Sequence, residues 1–357
     1  MPNNVLDDLA AIKNLDTGNM LGSLEELAAQ FQQTWDEIKT LSFAPRAPIH
    51  HVVVSGLGGS ALGADLARSV FKDRLTVPIE ISRDYTIPQF INENTLVILA
   101  SYSGTTEETL TSLSTVEAHH SQIMAIATGG QIIDYARDKG HTFYQIKPDH
   151  NPGGQARTAI GYSLLGTLGL LHLAGVLPDF SDQEVKEIIL TILSQEKLLA
   201  QTIPTISNPA KLLALELVDR RPVLLGADFT EGALHTATNC LNENSKVLAD
   251  YKVIPEMNHH WLEGLYQPPS NNHDTIFLLI RSALNHPRNQ KRLDLNQELF
   301  EKFNFANLDI ELTSETKLTQ AFELICLFAY ASFYLAILLG IDPSPTDNVN
   351  WLKSQLG

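Results

Sequence analysis

Apolar and polar positions follow two different periods that alternate along the chain. Short runs of apolar and β-branched residues predict buried strands, and longer segments between them carry apolar residues at helical spacing. The predicted strands are residues 51–55, 78–82, 95–100, 122–127 and 142–146, and then 222–226, 251–254, 275–281 and 308–312. The predicted helices between them are residues 60–71, 105–118, 131–138, 231–247, 258–265, 287–303 and 316–340. This alternation is typical of α/β units with parallel sheets.

Additional helical segments lie outside the two α/β units. Residues 5–43 predict two helices broken near 17–22, residues 156–177 and 181–203 predict two longer helices, and residues 204–209 resemble a linker. We therefore predict an α/β protein with two parallel-sheet sandwich domains and an N-terminal helical segment. The predicted parts are an N-terminal helical segment (1–46), a first domain (47–153), connecting helices (154–208) and a second domain with a C-terminal helix (209–357).

One strongly apolar segment, residues 322–341, is long enough to cross a bilayer. Glu323 is its only charged residue, and no basic cluster flanks it. Because the rest of the chain has the pattern of an α/β protein, we interpret this segment as a helix buried on all sides rather than a membrane span.

Two predicted strands each end in a loop of small and hydroxyl-bearing residues that leads into a helix. The sequences are VVVSGLGGSALG, at residues 52–63, and LVILASYSGTTEE, at residues 96–108. The first loop offers Gly56, Gly58, Gly59 and Ser60, and the second offers Ser101, Ser103, Gly104, Thr105 and Thr106. Free backbone N–H groups at a helix N-terminus favour an anion, and hydroxyls add donors. Two such loops on neighbouring strands predict a site for one phosphate group.

The first loop also satisfies the dinucleotide-binding pattern. Gly56, Gly58 and Ala61 have the required spacing, and Glu80 ends the next strand, where a ribose-binding acid is expected. A dinucleotide site does not need the second hydroxyl-rich loop, whereas a compact phosphate monoester accounts for both. Ordinary strand–helix turns also use small residues, so a purely structural role for both loops stays open at this point.

A second polar cluster lies in the C-terminal half. The sequence NENSK occupies residues 242–246 and is followed by PEMNHH at residues 255–260. Glu243 lies near the end of an otherwise apolar helix pattern, and a partly desolvated carboxylate gains the basicity that proton transfer requires. His259 and His260 suit proton shuttling, because the unperturbed pKa of histidine lies near neutrality. A solvated helix end and surface histidines are the alternative interpretation.

Composition narrows the possible partners. The formal charge of −16 argues against nucleic acid. The N-terminus lacks a basic-then-apolar signal pattern, so we expect a cytoplasmic protein without a membrane partner. Cys240 and Cys326 lie in apolar helical surroundings and are expected to be structural thiols. No cluster has zinc-ligand spacing, so we expect no metal and no cofactor.

Four segments together resemble the bifunctional phosphoglucose/phosphomannose isomerase family, which is built from two sugar isomerase (SIS) domains. They are GLGGSALG, SYSGTTEET, NENSK with the downstream PEMNHH, and the final DPSPTDNVNWLK. The resemblance runs from about residue 45 to the C-terminus. It implies two SIS-type domains and an aldose–ketose isomerase that interconverts glucose 6-phosphate and/or mannose 6-phosphate with fructose 6-phosphate. It also implies roles in glycolysis and gluconeogenesis.

The resemblance assigns roles to individual residues. Glu243 matches the base that moves a proton between C2 and C1, and His259 matches a histidine that assists ring opening from the other subunit of a homodimer. Arg157 matches an arginine near the enediol oxygens, and Lys353 matches a C-terminal lysine that reaches the site. Thr346 matches a position near C2 that is linked to acceptance of both epimers. The residues that match the phosphate site are Gly59, Ser60, Ser101, Ser103 and Thr106.

Two positions depart from the family pattern. The arginine motif reads Gln155-Ala156 without the usual proline, and His260-Trp261 follow His259 where the family tends to have Asn-Glu. Two other functions remain under consideration. One is a non-catalytic sugar-phosphate-binding SIS protein, although no basic recognition segment is seen. The other is an NAD-dependent oxidoreductase.

Overall fold

The computed structural model describes residues 2–356, with side chains from residue 5 onward. The N-terminal helices are α1 (Leu9–Leu15), α2 (Met20–Glu25) and α3 (Leu27–Ile38). The first α/β unit contains β1 (His51–Ser55), α4 (Leu62–Val70), β2 (Ile79–Ser82), β3 (Thr95–Ala100), α5 (Glu107–Thr111), α6 (Leu113–Ala118), β4 (Gln122–Ala127), α7 (Gly130–Asp138) and β5 (Thr142–Gln145). The connecting helices are α8 (Ile160–Leu173) and α9 (Asp182–Leu199).

The second α/β unit follows the connecting helices. It contains α10 (Pro209–Glu216), β6 (Arg221–Ala227), α11 (Glu231–Asn244), β7 (Asp250–Ile254), α12 (Asn271–Asp274), β8 (Thr275–Ser282), α13 (Pro287–Lys302), β9 (Ala306–Leu312), α14 (Lys317–Leu338) and α15 (Asp347–Leu356). Two short 3₁₀ turns, Glu256–His259 and Trp261–Tyr266, lie between β7 and α12.

Each unit is built on a parallel sheet, as the alternating pattern predicts. The strand order is β2-β1-β3-β4-β5 in the first sheet and β7-β6-β8-β9 in the second. The central strands β3 and β4 are buried along their whole length, because helices cover both faces of a parallel sheet. Strands β1 to β4 of the first sheet are arranged in the same order as β6 to β9 of the second. The predicted α/β class with two parallel-sheet domains and an N-terminal helical segment is confirmed, whereas the exact domain boundaries stay predictions.

Several predicted helices have different bounds in the structure. The helix predicted at 105–118 is two short helices that begin at Glu107 and break at Ser112, whose hydroxyl donates to the Thr109 carbonyl. The helix predicted at 156–177 begins only at Ile160 and ends at Leu173, just before Gly175 with φ +72°. The segment predicted as a short helix at 258–265 forms the two 3₁₀ turns.

Helix α10 was not predicted, because the segment around it was interpreted as a linker. The Asn208 side chain accepts hydrogen bonds from the backbone N–H groups of Ala210 and Lys211 and so caps the helix. Pro209 occupies the first helical position, where its missing N–H costs nothing. The proline that suggested a linker therefore starts a helix.

The apolar C-terminal segment forms a buried helix in the large core that the two units share. Helix α14 is long and apolar enough to cross a membrane, but 89% of its most apolar window is buried inside the protein. It packs against α9, α10 and α11. The interpretation as a buried helix is therefore confirmed. As predicted, Cys240 and Cys326 are buried free thiols.

Helix packing between the two units positions the residues considered below. Helix α4 of the first unit lies directly on α11 of the second, and a Cβ added at Gly232 would lie 2.6 Å from the Leu66 nitrogen. The N-terminal segment contributes through Gln30, which is fully buried in α3. Its amide donates to the carbonyls of His150 and Thr158 and accepts from the Gly161 N–H. The N-terminal segment therefore fixes the loop that carries Arg157.

Candidate active site

The two hydroxyl-bearing loops lie at the carboxyl ends of adjacent strands, β1 and β3, and contact each other. The backbone N–H of Tyr102 donates to Ser60 Oγ at 2.9 Å. A Cβ at Gly56 would lie 2.6 Å from the Ala100 carbonyl oxygen, so close packing of the two loops requires glycine there. This packing role accounts for the first glycine of the dinucleotide pattern without a dinucleotide. Gly59 has open space around it, which leaves room for a ligand.

The second loop holds its hydroxyls through hydrogen bonds within the loop. Ser101 Oγ and Thr106 Oγ1 are 2.7 Å apart, and the Gly104 N–H donates to Ser101 Oγ. Gly104 has φ +71°, and a Cβ there would lie 1.7 Å from the Gly129 oxygen. The hydroxyl of Thr105 donates to Ser103 Oγ, and both side chains are exposed. The loop therefore presents hydroxyls and backbone N–H groups to solvent, which suits an anion.

A chain of hydrogen bonds leads from these loops to Arg157. The Asn151 amide donates to the Tyr102 phenol oxygen at 3.1 Å and to the Gln155 carbonyl at 3.0 Å. The side chain of Gln155 in turn accepts from Arg157 Nη1 at 3.2 Å. Sequence analysis did not identify Tyr102 or Asn151 as part of the site. Their only sequence signal is position, within the serine loop and before the PGG turn.

The guanidinium of Arg157 is held on three sides. Nε donates to Asn244 Oδ1 at 3.0 Å, and Nη2 donates to the carbonyls of Pro343 and Ser344. Burial lowers the pKa of Arg157, and the nearby Glu243 carboxylate acts in the opposite direction. Arg157 lies in the loop before α8, and its partners lie at the end of α11 and in the segment after α14. Arg157 therefore joins the two α/β units beside Glu243.

Glu243 lies in the last turn of α11 and is half-buried. Within residues 5–356, its carboxylate forms no hydrogen bond to another side chain or backbone group. Burial raises the pKa of Glu243, and the cations Arg157, Lys246 and Lys353 partly offset this effect. A carboxylate with a raised pKa and unoccupied oxygens is suited to take and return a proton.

The predicted C-terminal residues approach Glu243 to different degrees. Lys353 lies on α15, is exposed, and is close enough to lower the pKa of Glu243. Thr346 precedes α15, and its carbonyl accepts the Asn350 N–H. Lys246 also flanks the site, since its ammonium donates to the carbonyls of Glu243 and Pro343. It belongs to the NENSK segment, but sequence analysis gave it no role.

His259 is not brought to Glu243 within the chain. It is exposed, in a segment whose neighbours Met257 and Leu265 pack with Val223 and Leu225 of β6. The neighbouring β6 residue, Leu224, packs in the other core with α11. Because successive strand residues point to opposite faces, the His259 segment and α11 cover opposite faces of the second sheet.

Comparison with known proteins supports the resemblance. A family model described as the bacterial phospho-glucose isomerase C-terminal SIS domain matches residues 206–356. The chain is 32% identical to a bifunctional phosphoglucose/phosphomannose isomerase of Caldicellulosiruptor bescii, over 94% of this chain and 98% of the relative. It is 27% identical to a protein of the same name from Aquifex aeolicus, over 91% of this chain and 95% of that relative.

A solved structure supports the fold independently. The C-terminal domain of glucosamine-fructose-6-phosphate aminotransferase from Francisella tularensis superposes with a TM-score of 0.65 and 15% identity, covering 91% of this chain and 98% of that one. At this identity the likeness concerns the fold, and it agrees with two SIS-type domains. The identity to the Caldicellulosiruptor protein spans nearly the full length of both chains. On this ground, the chain belongs to the bifunctional phosphoglucose/phosphomannose isomerase family.

Proposed function

We propose that this protein interconverts glucose 6-phosphate and mannose 6-phosphate with fructose 6-phosphate through a cis-enediol intermediate. The observation that carries the proposal is the free carboxylate of Glu243 beside Arg157, in a hydrogen-bonded site continuous with the two hydroxyl loops. The substrate phosphate docks on the loops at Ser60 and residues 101–106, where hydroxyls and backbone N–H groups converge.

The chemistry needs a ring opening followed by two proton transfers at carbon. Ring opening gives a proton to the ring oxygen and removes one from the anomeric hydroxyl, for which histidine and lysine are suited. Starting from the aldose, Glu243 removes the C2 proton, and the electron pair of the broken C–H bond forms the enediolate. The Arg157 guanidinium stabilises the negative charge that develops on oxygen. Glu243 then returns its proton to C1, and the proton of the C2 hydroxyl moves to the C1 oxygen, which leaves the C2 ketone and the C1 hydroxyl.

Acceptance of both aldoses follows from the intermediate. Glucose 6-phosphate and mannose 6-phosphate are C2 epimers and give the same enediol. A single carboxylate reaches the C2 hydrogen of either epimer if the substrate rotates about the C2–C3 bond. We assign Thr346 to the part of the site that surrounds C2 of the sugar. Thr346 begins the C-terminal segment that brings Lys353 near Glu243.

The proposal includes a homodimer with shared active sites. Glu243 and His259 belong to segments on opposite faces of one sheet, so a histidine for ring opening comes from a second copy of the chain. We also propose a cytoplasmic location and a place in glycolysis and gluconeogenesis. The proposed ligand is the hexose phosphate, and we propose neither nucleic acid nor a membrane as a partner.

A product assay tests the function against its two alternatives. Purified protein is incubated with fructose 6-phosphate, with and without NAD⁺ or NADH, and the products are identified by NMR. We expect both aldose 6-phosphates without nicotinamide. Binding without turnover would favour a sugar-phosphate sensor, and a strict need for nicotinamide would favour an oxidoreductase.

The hydroxyl loops give a separate kinetic prediction. Ser103→Ala and Thr106→Ala should raise KM more than they lower kcat, because the phosphate they hold does not react. Part of this binding energy also orients the sugar, so a smaller loss of kcat is compatible. Thr111→Ala is the matched control, since its exposed hydroxyl only donates to the Glu107 carbonyl of its own helix. A loss of kcat with unchanged KM would contradict the placement of the phosphate.

A further inference from the structure

We propose that Asn244 is a positioning residue for the isomerisation: its side chain holds the Arg157 guanidinium beside the Glu243 carboxylate. The proposal rests on the proposed function and extends it to a residue outside the predicted site. Asn244 directly follows Glu243 at the end of α11 and is 2% exposed. It does not itself need to touch the substrate.

The orientation of the Asn244 amide is fixed from its far side. Asn244 Nδ2 donates to Ser332 Oγ of α14 at 2.9 Å, and the Ser332 hydroxyl donates to the Ala329 carbonyl at 3.0 Å. Asn244 Oδ1 is thereby turned toward Arg157 Nε, which donates to it at 3.0 Å. The reversed amide would place N–H donors against a guanidinium that has only donors. The contact thus has one workable orientation.

The chemistry of an amide suits this position better than a carboxylate. An amide oxygen accepts from Arg157 without neutralising its charge, so the guanidinium keeps its positive charge for Glu243 and for the enediolate. An aspartate would place a second negative charge beside Glu243 and compete for the same cation. The other acceptors of Arg157 are also uncharged: the Gln155 amide and the carbonyls of Pro343 and Ser344.

The position of Arg157 can be followed through its effect on the pKa of Glu243. The cations that lower its pKa are Arg157 from the loop before α8, Lys246 after α11 and Lys353 from α15. Asp342 raises the pKa of Arg157 and of Lys246, and Asp347 raises that of Lys246. The Cys240 thiol on α11 also faces Glu243, whose carboxylate helps to raise the pKa of that thiol. If Arg157 moves away, the pKa of Glu243 rises further. A base must be deprotonated to act, so the acid limb of the activity profile then moves to higher pH.

The test compares Asn244→Ala with Ser332→Ala. Both remove the hydrogen bond between α11 and α14, but only Asn244→Ala removes the acceptor of Arg157 Nε. For fructose 6-phosphate isomerisation, we expect Asn244→Ala to lower kcat/KM about tenfold and to raise the acid limb by roughly half to one pH unit. Ser332→Ala should shift the profile less than Asn244→Ala, because the guanidinium, which has only donors, still selects the orientation with Asn244 Oδ1 toward Arg157. The second ionisation of the sugar phosphate lies near pH 6 but is the same for every variant.

A spectroscopic measurement keeps the test independent of activity. The ¹⁵N–¹H signal of Arg157 Nε, assigned by its loss in Arg157→Lys, should exchange slowly in wild type and Ser332→Ala. It should exchange rapidly in Asn244→Ala, or in Asn244→Ser if the alanine variant does not fold. An inactive wild type would overturn the proposed function and leave this signal to decide the positioning role. An active wild type with unchanged pH profile and protected signal in Asn244→Ala or Asn244→Ser would overturn the positioning role.

Discussion

Glu243→Gln should abolish isomerisation while leaving fructose 6-phosphate binding close to normal. Glutamine keeps the size of the side chain but cannot accept the carbon-bound proton, and loss of a general base typically costs about 10²–10⁴-fold in rate. Binding should persist because the phosphate loops at the ends of β1 and β3 are built without Glu243. Turnover is measured by coupled assay and binding by isothermal titration calorimetry.

Glu256→Gln is the matched control for this experiment. Glu256 is a nearby carboxylate in sequence, lies in the same segment as His259, and is exposed. It should keep near-normal activity. If Glu256→Gln lost turnover while Glu243→Gln retained it, the base would be misplaced, although the reaction class would stand.

Mixing Glu243→Gln chains with His259→Ala chains should restore activity that neither variant has alone. In a twofold dimer with shared sites, a mixed dimer has one site with both substitutions and one site with neither. After random subunit exchange, about a quarter of all sites are then intact, so we expect recovery toward a quarter of wild-type activity. Activity is followed against time after mixing under conditions that allow exchange.

The control is a mixture in which both substitutions are on one chain and the other chain is wild type. Under the shared arrangement, every mixed dimer here has two damaged sites. Activity should therefore fall below that of unmixed wild type at the same concentration of wild-type chains. No recovery in the first mixture after demonstrated exchange would place each site within a single chain.

Local sequence patterns were sufficient to predict both sheets and both hydroxyl loops. Most strands carry a short run of apolar or β-branched residues, and each loop combines Gly56 or Gly104 with neighbouring hydroxyls, so the signal lies within a dozen residues. The break at Ser112 and the helix α10 were missed for a local reason. Nothing in the helical pattern shows that the Ser112 hydroxyl bonds to the Thr109 carbonyl, where the helix breaks, whereas a proline at a first helical position resembles a loop signal.

The network around Arg157 could not be predicted in the same way. Arg157 contacts Asn244, 87 positions later, and the carbonyl of Pro343, 186 positions later. Backbone carbonyls carry no sequence signal, and an asparagine in a helix end is ordinary. The family resemblance supplied Arg157 and Glu243 individually, but only packing of α4 against α11 shows how the two halves of the chain meet there.

Solvent isotope incorporation is the most direct test of proton transfer by a protein base. Wild-type enzyme is incubated with fructose 6-phosphate in deuterated water without nicotinamide, and the products are examined by ¹H and ²H NMR. The enediol mechanism predicts deuterium at C2 of both glucose 6-phosphate and mannose 6-phosphate and at C1 of the remaining fructose 6-phosphate. Aldose products with no solvent deuterium at any stage would indicate direct hydride transfer between C1 and C2, and would contradict the role of Glu243 as a base that exchanges with water.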